Sequence, residues 1–162
     1  MANITQKITP FLWFDKEAEE AATFYTSIFK KSSIGSKSYY GEGAPLPEGT
    51  ILTVEFTLND EKFTALNGGP IFKFNESVSF VVHCDSQDEI DYYWEQLLKD
   101  GGKESQCGWL KDKFGLSWQV VPDRLLELLM DKDKEKANRV MQAMMKMVKI
   151  DIAVLEEAVE EV

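Results

Sequence analysis

The 162-residue sequence contains one histidine and two cysteines. Zinc-finger and cysteine-rich metal motifs need several imidazole or thiolate ligands at fixed spacing, so that scarcity removes them. Cys84 and Cys107 stand 23 positions apart with no partner pattern and are expected to be reduced thiols. Cations are also in deficit, with 18 Lys and Arg against 28 Asp and Glu, for a net charge of −10. Neither a nucleic acid nor an anionic membrane is expected as partner, because both select clustered Lys and Arg. No apolar run approaches the roughly 18 residues of a membrane span. The Met1–Lys7 stretch lacks the basic-then-apolar order of a secretion signal, so a cytoplasmic location is expected. A chain of this length buries roughly 68–70% of its extended surface, and needs no disulfide or structural metal to fold.

What is present is a repeated pattern. Ile8 to Phe14 reads as a strand with Pro10 near its start, and Asp15 is placed to cap a following helix. That helix carries Ala18, Ala21, Ala22, Tyr25, Ile28 and Phe29 at helical spacing. Residues 41–49 form a loop. From Thr50 to Leu58 the side chains alternate, with Leu52, Val54, Phe56 and Leu58 opposed to Ile51, Thr53, Glu55 and Thr57. Asn59-Asp60-Glu61 turns the chain into a return strand over 62–67, and Gly68-Gly69-Pro70 breaks it. The order then restarts. Ser77 to Cys84 is a strand, Ser86 to Glu89 a capping box, and Ile90, Tyr93, Trp94, Leu97 and Leu98 a helical stripe ending at Gly101-Gly102. Short strands follow near 107–111 and 116–121. A slide of 70 positions superposes Phe11 on Val81, Trp13 on His83 and Phe24 on Trp94, which implies two copies of one supersecondary unit. The domain expected spans 1–122, as units of about 4–70 and 71–122, and 123–162 follows as a helical extension. Its Ala137, Val140, Met141, Met144, Met145 and Val148 make a stripe suited to packing on the sheet or on a second subunit.

The stretches Ile8-Thr-Pro-Phe-Leu-Trp-Phe-Asp15, Phe63-Thr-Ala-Leu-Asn-Gly-Gly-Pro70 and Phe74-Asn-Glu-Ser-Val-Ser-Phe-Val-Val82 carry a resemblance. Gln106-Cys-Gly-Trp-Leu-Lys-Asp-Lys-Phe-Gly-Leu-Ser-Trp-Gln-Val-Val-Pro122 is its most specific part, and Arg139 to Met145 with Lys149 to Ile152 extend it. Together they resemble the PhnB-like branch of the vicinal oxygen chelate superfamily, often labelled 3-demethylubiquinone-9 3-methyltransferase domain. The superfamily includes glyoxalase I, bleomycin-resistance proteins and extradiol dioxygenases. The resemblance implies an α+β fold: two βαβββ repeats forming a cup-shaped half-barrel sheet, helices outside, ligand site inside, and a C-terminal helical extension. It also implies a homodimer. The Gly-rich strand-to-helix turn and ribose-holding acid of a usual S-adenosylmethionine-dependent methyltransferase are not visible, and a label can travel with a fold without its chemistry.

Metal-using members of the superfamily hold a divalent ion through His and Glu on the first strand and the last hairpin strand of each unit. By resemblance those places fall on Thr9 and Ser79, near Ala65 or Asn67, and on Gln119, where the Gly-x-x-x-Glu pattern reads Gly115-Leu-Ser-Trp-Gln119. Hydroxyl and amide groups do not offset the desolvation of a dication, so no metal and no cofactor is expected. The ligand set expected is Thr9, Phe11, Trp13, Asn67, Ser79, Trp109 and Gln119 around a small organic molecule, with Glu55 and His83 as candidate catalytic groups. Two other readings remain at this point. One is a divalent-metal-dependent lyase, isomerase or dioxygenase of the same superfamily, and the other a non-catalytic sequestering or interaction module.

Overall fold

In the computed structural model, residues 6–160 are described; the expected start of the first unit at residue 4 lies outside them. The alternation of apolar and polar residues sets up the first unit, Met1–Lys73. It contains β1 (Phe11–Phe14), α1 (Ala18–Ile28), β2 (Ser33–Tyr39), β3 (Ile51–Leu58) and β4 (Glu61–Asn67). The strand order is β1-β4-β3-β2, with β1 parallel to β4 and the other pairs antiparallel. Leu12, Phe14, Val54, Phe56, Leu58 and Ala65 are buried on one face, under the Ala18, Ala21, Ala22, Tyr25 and Ile28 stripe of α1. The three alanines let the helix approach closely, and the Tyr25 ring stacks 6.1 Å from that of Phe56. Asn59 and Asp60 both take positive φ, 48° and 67°, as a two-residue hairpin turn requires.

The second unit, Phe74–Val162, repeats the topology. It comprises β5 (Ser79–Cys84), α2 (Gln87–Leu98), β6 (Lys103–Glu104), β7 (Trp109–Lys111) and β8 (Ser117–Pro122), ordered β5-β8-β7-β6. Val82, Cys84, Leu110, Trp118 and Val120 are buried on the face that α2 covers with Ile90, Trp94 and Leu97. Both sheets are open, and the fold is α+β of the glyoxalase/bleomycin-resistance type. Counted from Phe11 to Val81 the repeat offset is 70, but from their partners Thr64 to Gln119 it is 55. The second copy has a shorter hairpin, β6–β7, where the first has β2–β3. The chain ends with α3 (Asp123–Leu129), α4 (Lys134–Met144) and α5 (Ile152–Glu160). Their Leu125, Leu128, Val140 and Leu155, with Ile150, enclose Val121 of β8 in one apolar cluster.

Four expectations need correction. The first strand begins at Phe11 rather than Ile8; Pro10 has no N–H to give, and Ile8 is 84% exposed. Val78, inside the strand expected from Ser77, is 62% exposed ahead of β5, which starts at Ser79. Asp15 does not cap α1: Glu17 occupies that position without a side-chain bond, and the cap comes from Asn67 Oδ1, which accepts the Ala18 N–H at 2.8 Å. The helical stripe expected to run to Val148 ends at Met144, because the carbonyls of Met147 and Val148 accept the N–H groups of Cys107 and Gly108 instead. The Ser86 cap forms as expected, accepting the Glu89 N–H at 3.2 Å. The reciprocal bond from Glu89 reaches the Asp85 N–H, one residue earlier than a capping box places it.

Candidate functional site

Each sheet has one face covered by its helix, so the functional side chains are sought on the other. On the first sheet, register puts Phe11 opposite Thr64 and Thr64 opposite Glu55; Glu55 accepts the Ser36 hydroxyl. Trp13 stands opposite Leu66, and Leu66 opposite Thr53, whose hydroxyl meets that of Ser38. Phe11, Trp13 and Glu55 therefore share one face, with hydroxyls interleaved between the rings and the carboxylate. Thr9 is exposed ahead of β1 and belongs to neither row.

Asn67 falls on the covered face. It is buried, and besides capping α1 it donates Nδ2 to the Ile51 carbonyl at 3.0 Å. Both ends of its amide are occupied within the fold. The following glycines hold Trp13: a Cβ on Gly68 would collide with the Trp13 indole, and the indole N–H donates to the Gly69 carbonyl at 2.9 Å. Phe72 packs edge-on against that indole at 5.0 Å. The Asn-Gly-Gly-Pro corner thus fixes the pose of an aromatic wall.

On the second sheet, Ser79 stands opposite Ser117, and Gln119 opposite both Val81 and Trp109. Gln119 Nε2 donates to Ser79 Oγ at 2.9 Å, so Ser79, Trp109 and Gln119 share one patch. Two features seat that patch. Asp112 is 3% exposed and accepts the Phe114 N–H at 2.9 Å, the Leu116 N–H at 3.1 Å and the Trp118 indole N–H at 2.9 Å. It closes the Asp112–Gly115 turn between β7 and β8. Gly108, at φ 81°, passes so close to the Val120 carbonyl that a Cβ would stand 2.9 Å from it. Sequence reading missed Asp112; an aspartate opening an Asp-Lys-Phe-Gly turn is the signal that could have found it.

His83 lies at the next row, opposite Val121, and its Nδ1 is 3.2 Å from Asp123 Oδ1. A carboxylate only accepts, so the bond assigns the proton to Nδ1 and leaves Nε2 as the acceptor of the neutral ring. Cys84, next in sequence, points to the covered face, where burial pushes its thiol up to about 12 and removes it as a nucleophile. At the sheet margin Lys111 pairs with Glu76, and that hydrogen bond holds the Glu76 carboxyl below its ordinary range.

The superfamily's divalent ion can be tested against these residues. Thr9, Ser79 and Gln119 offer neutral oxygens, Gln119 turns its amide N–H toward Ser79, and Asn67 is occupied on the covered face. No three His, Cys, Asp or Glu side chains cluster among the described residues. This donor set does not fit a dication, which needs anionic or imidazole ligands.

Paired βαβββ units with helix-covered backs and open polar–aromatic faces define a vicinal oxygen chelate protein. A family profile described as 3-demethylubiquinone-9 3-methyltransferase matches residues 6–121, and the chain belongs to that PhnB-like family. The PhnB protein from Bacillus cereus is 40% identical, with a TM-score of 0.65 over 72% of this chain and 99% of that one. Protein PA1353 from Pseudomonas aeruginosa is 20% identical, with a TM-score of 0.58 over 71% of this chain and 96% of that one. The fosfomycin resistance protein FosX from Listeria monocytogenes is 15% identical, with a TM-score of 0.58 over 79% and 99% of the two chains. The last two comparisons speak for the fold alone. No curated protein sequence matches.

Proposed function

We propose that this PhnB-like protein binds a small organic molecule on its open sheet faces without a bound metal, and that the methyltransferase label does not describe its chemistry. The observation that carries the reading is the register of the uncovered faces. It gathers Phe11, Trp13 and Glu55 on one sheet and Ser79, Trp109 and Gln119 on the other, each with aromatic surface beside fixed polar groups. Glu55 orients a ligand proton donor. His83, its tautomer set by Asp123, offers Nε2 as a base. Two protomers pair and the protein is cytoplasmic; exposed Ile71 and Phe72 supply apolar surface for that pairing.

The test is a fragment screen by protein-observed NMR in excess EDTA. Binding fragments are expected to shift Phe11 and Glu55, or Ser79, Trp109 and Gln119. Glu55→Gln or Gln119→Ala should weaken them about tenfold, a loss of about 1.4 kcal/mol. Hits confined to α3–α5, or insensitive to both variants, would contradict the proposal. Calorimetric binding of S-adenosylmethionine would contradict its second half.

A further inference from the structure

The strand register of the second sheet lines up a row of hydrogen-bond donors. Lys103 of β6 lies directly opposite Lys111 of β7, Lys111 opposite Ser117 of β8, and Ser117 opposite Ser79 of β5. Like charges directly opposite one another destabilise a strand pair, so folding alone gives no reason for two ammonium groups there. Glu76 offsets Lys111, whereas Lys103 has no ion-pair partner among the described residues. Ser117 is 1% exposed, and its Oγ has no hydrogen-bond partner among the described residues. A buried hydroxyl in that state has given up its bonds to water and received nothing in return. Ser79 Oγ accepts from Gln119 and keeps its own proton to give.

Lys103, Lys111 and Ser117 line a cleft of about 230 Å³ whose apolar wall is Trp109. Two carboxylates also border it, and each has one oxygen engaged: Glu76 with Lys111 and Glu104 with the Trp94 indole N–H at 2.9 Å. The side chains with no partner among the described residues, the Lys103 ammonium and the Ser117 hydroxyl, are donors. Their complement is a group that only accepts, and an ionised carboxylate meets that description with two oxygens and no proton. The cleft is smaller than the roughly 300 Å³ at which drug-sized pockets begin, which suits a single ring, and an indole face is a good surface for a flat one.

We propose that this cleft binds a small aromatic carboxylate, its oxygens taking the Ser117 hydroxyl and the Lys103 ammonium and its ring lying against Trp109. The inference rests on the open faces being binding surfaces and names the ligand class for one of them.

The test is a titration of the full chain with benzoate, followed by ¹⁵N NMR at the Ser117 amide and the Trp109 indole N–H, with benzamide as the neutral control. Benzoate should shift both signals saturably and bind about tenfold tighter than benzamide. Ser117→Ala and Lys103→Gln should each weaken it about tenfold. Ser117→Ala should melt no lower than the parent, because it deletes an unpaired hydroxyl rather than a bond. A lower melting temperature would place that hydroxyl in service to the fold and overturn the proposal. So would the lack of saturable shifts, equal affinity for benzamide, or undiminished binding by the variants. Fragments that bind through Glu55 or Gln119 while benzoate leaves this cleft untouched would defeat the inference and spare the broader function. Silence from both would remove the two together.

Discussion

The carboxylate of Asp112 accepts two backbone N–H groups and one indole N–H in a position that water does not reach. Removing it strands all three donors. Asp112→Ala should therefore destabilise the protein by about 2–4 kcal/mol, as several buried charge-assisted bonds are lost at once. Asp112→Asn, which keeps one acceptor oxygen, should lose about half as much. Urea denaturation measures both, and an Ala variant within about 0.5 kcal/mol of the parent would refute the role. Asn67 shows how far single residues are legible. The sequence marks it as a polar group where a ligand contact is expected, but its amide closes a contact between residues 18 and 67. Capping across 49 positions leaves no local trace. The covered and open faces of β3, by contrast, were readable directly, because alternation has a period of two and burial follows it.

Among the elements, sequence reading placed neither the two-residue β6 nor the longer β2. All seven of its residues are exposed, so it carries no alternation, and it joins the sheet by backbone bonds with register shifts beside β3. An edge strand of Ser, Gly and Lys with irregular pairing resists adding further strands, and that same composition hides it. The C-terminal helices were legible from their apolar stripe, but not their anchorage. Arg124 holds Glu156 at 2.6 Å, Lys149 holds Asp91 of α2 at 2.6 Å and Lys136 holds Asp131 at 2.7 Å. Each hydrogen-bonded cation keeps its carboxyl below the ordinary 4.5 of Glu156 or 3.8 of Asp91 and Asp131. A carboxyl lowered in the folded state contributes stability that is present above its ordinary value and lost as pH falls through the folded one. Hydrogen exchange across a pH series should show α4 and α5 losing protection below about pH 4 before α1 does. Equal loss in all three helices would mean that the pairs are ornamental, as exposed ion pairs often are.

For the whole molecule, the paired βαβββ topology was readable from the 70-residue slide and the motif resemblance, since strand, helix and hairpin patterns recur in order. The chemistry was less so. The stretch from Gln106 to Pro122 carries the most specific resemblance, yet much of it is structural. Cys107 and Gly108 bind the carbonyls of Met147 and Val148, Asp112 ties the hairpin, and Trp118 is buried against it. Trp109, Ser117 and Gln119 are left on the open face for the proposed ligand. A protein that recognises its ligand through such groups should be indifferent to divalent ions. Calorimetric titration of the tightest fragment found on the open faces, in excess EDTA and again in saturating Mn²⁺ or Zn²⁺, tests this most directly. Dissociation constants equal within about twofold, a difference under about 0.4 kcal/mol, are expected. Binding abolished by EDTA and restored by either ion would contradict it.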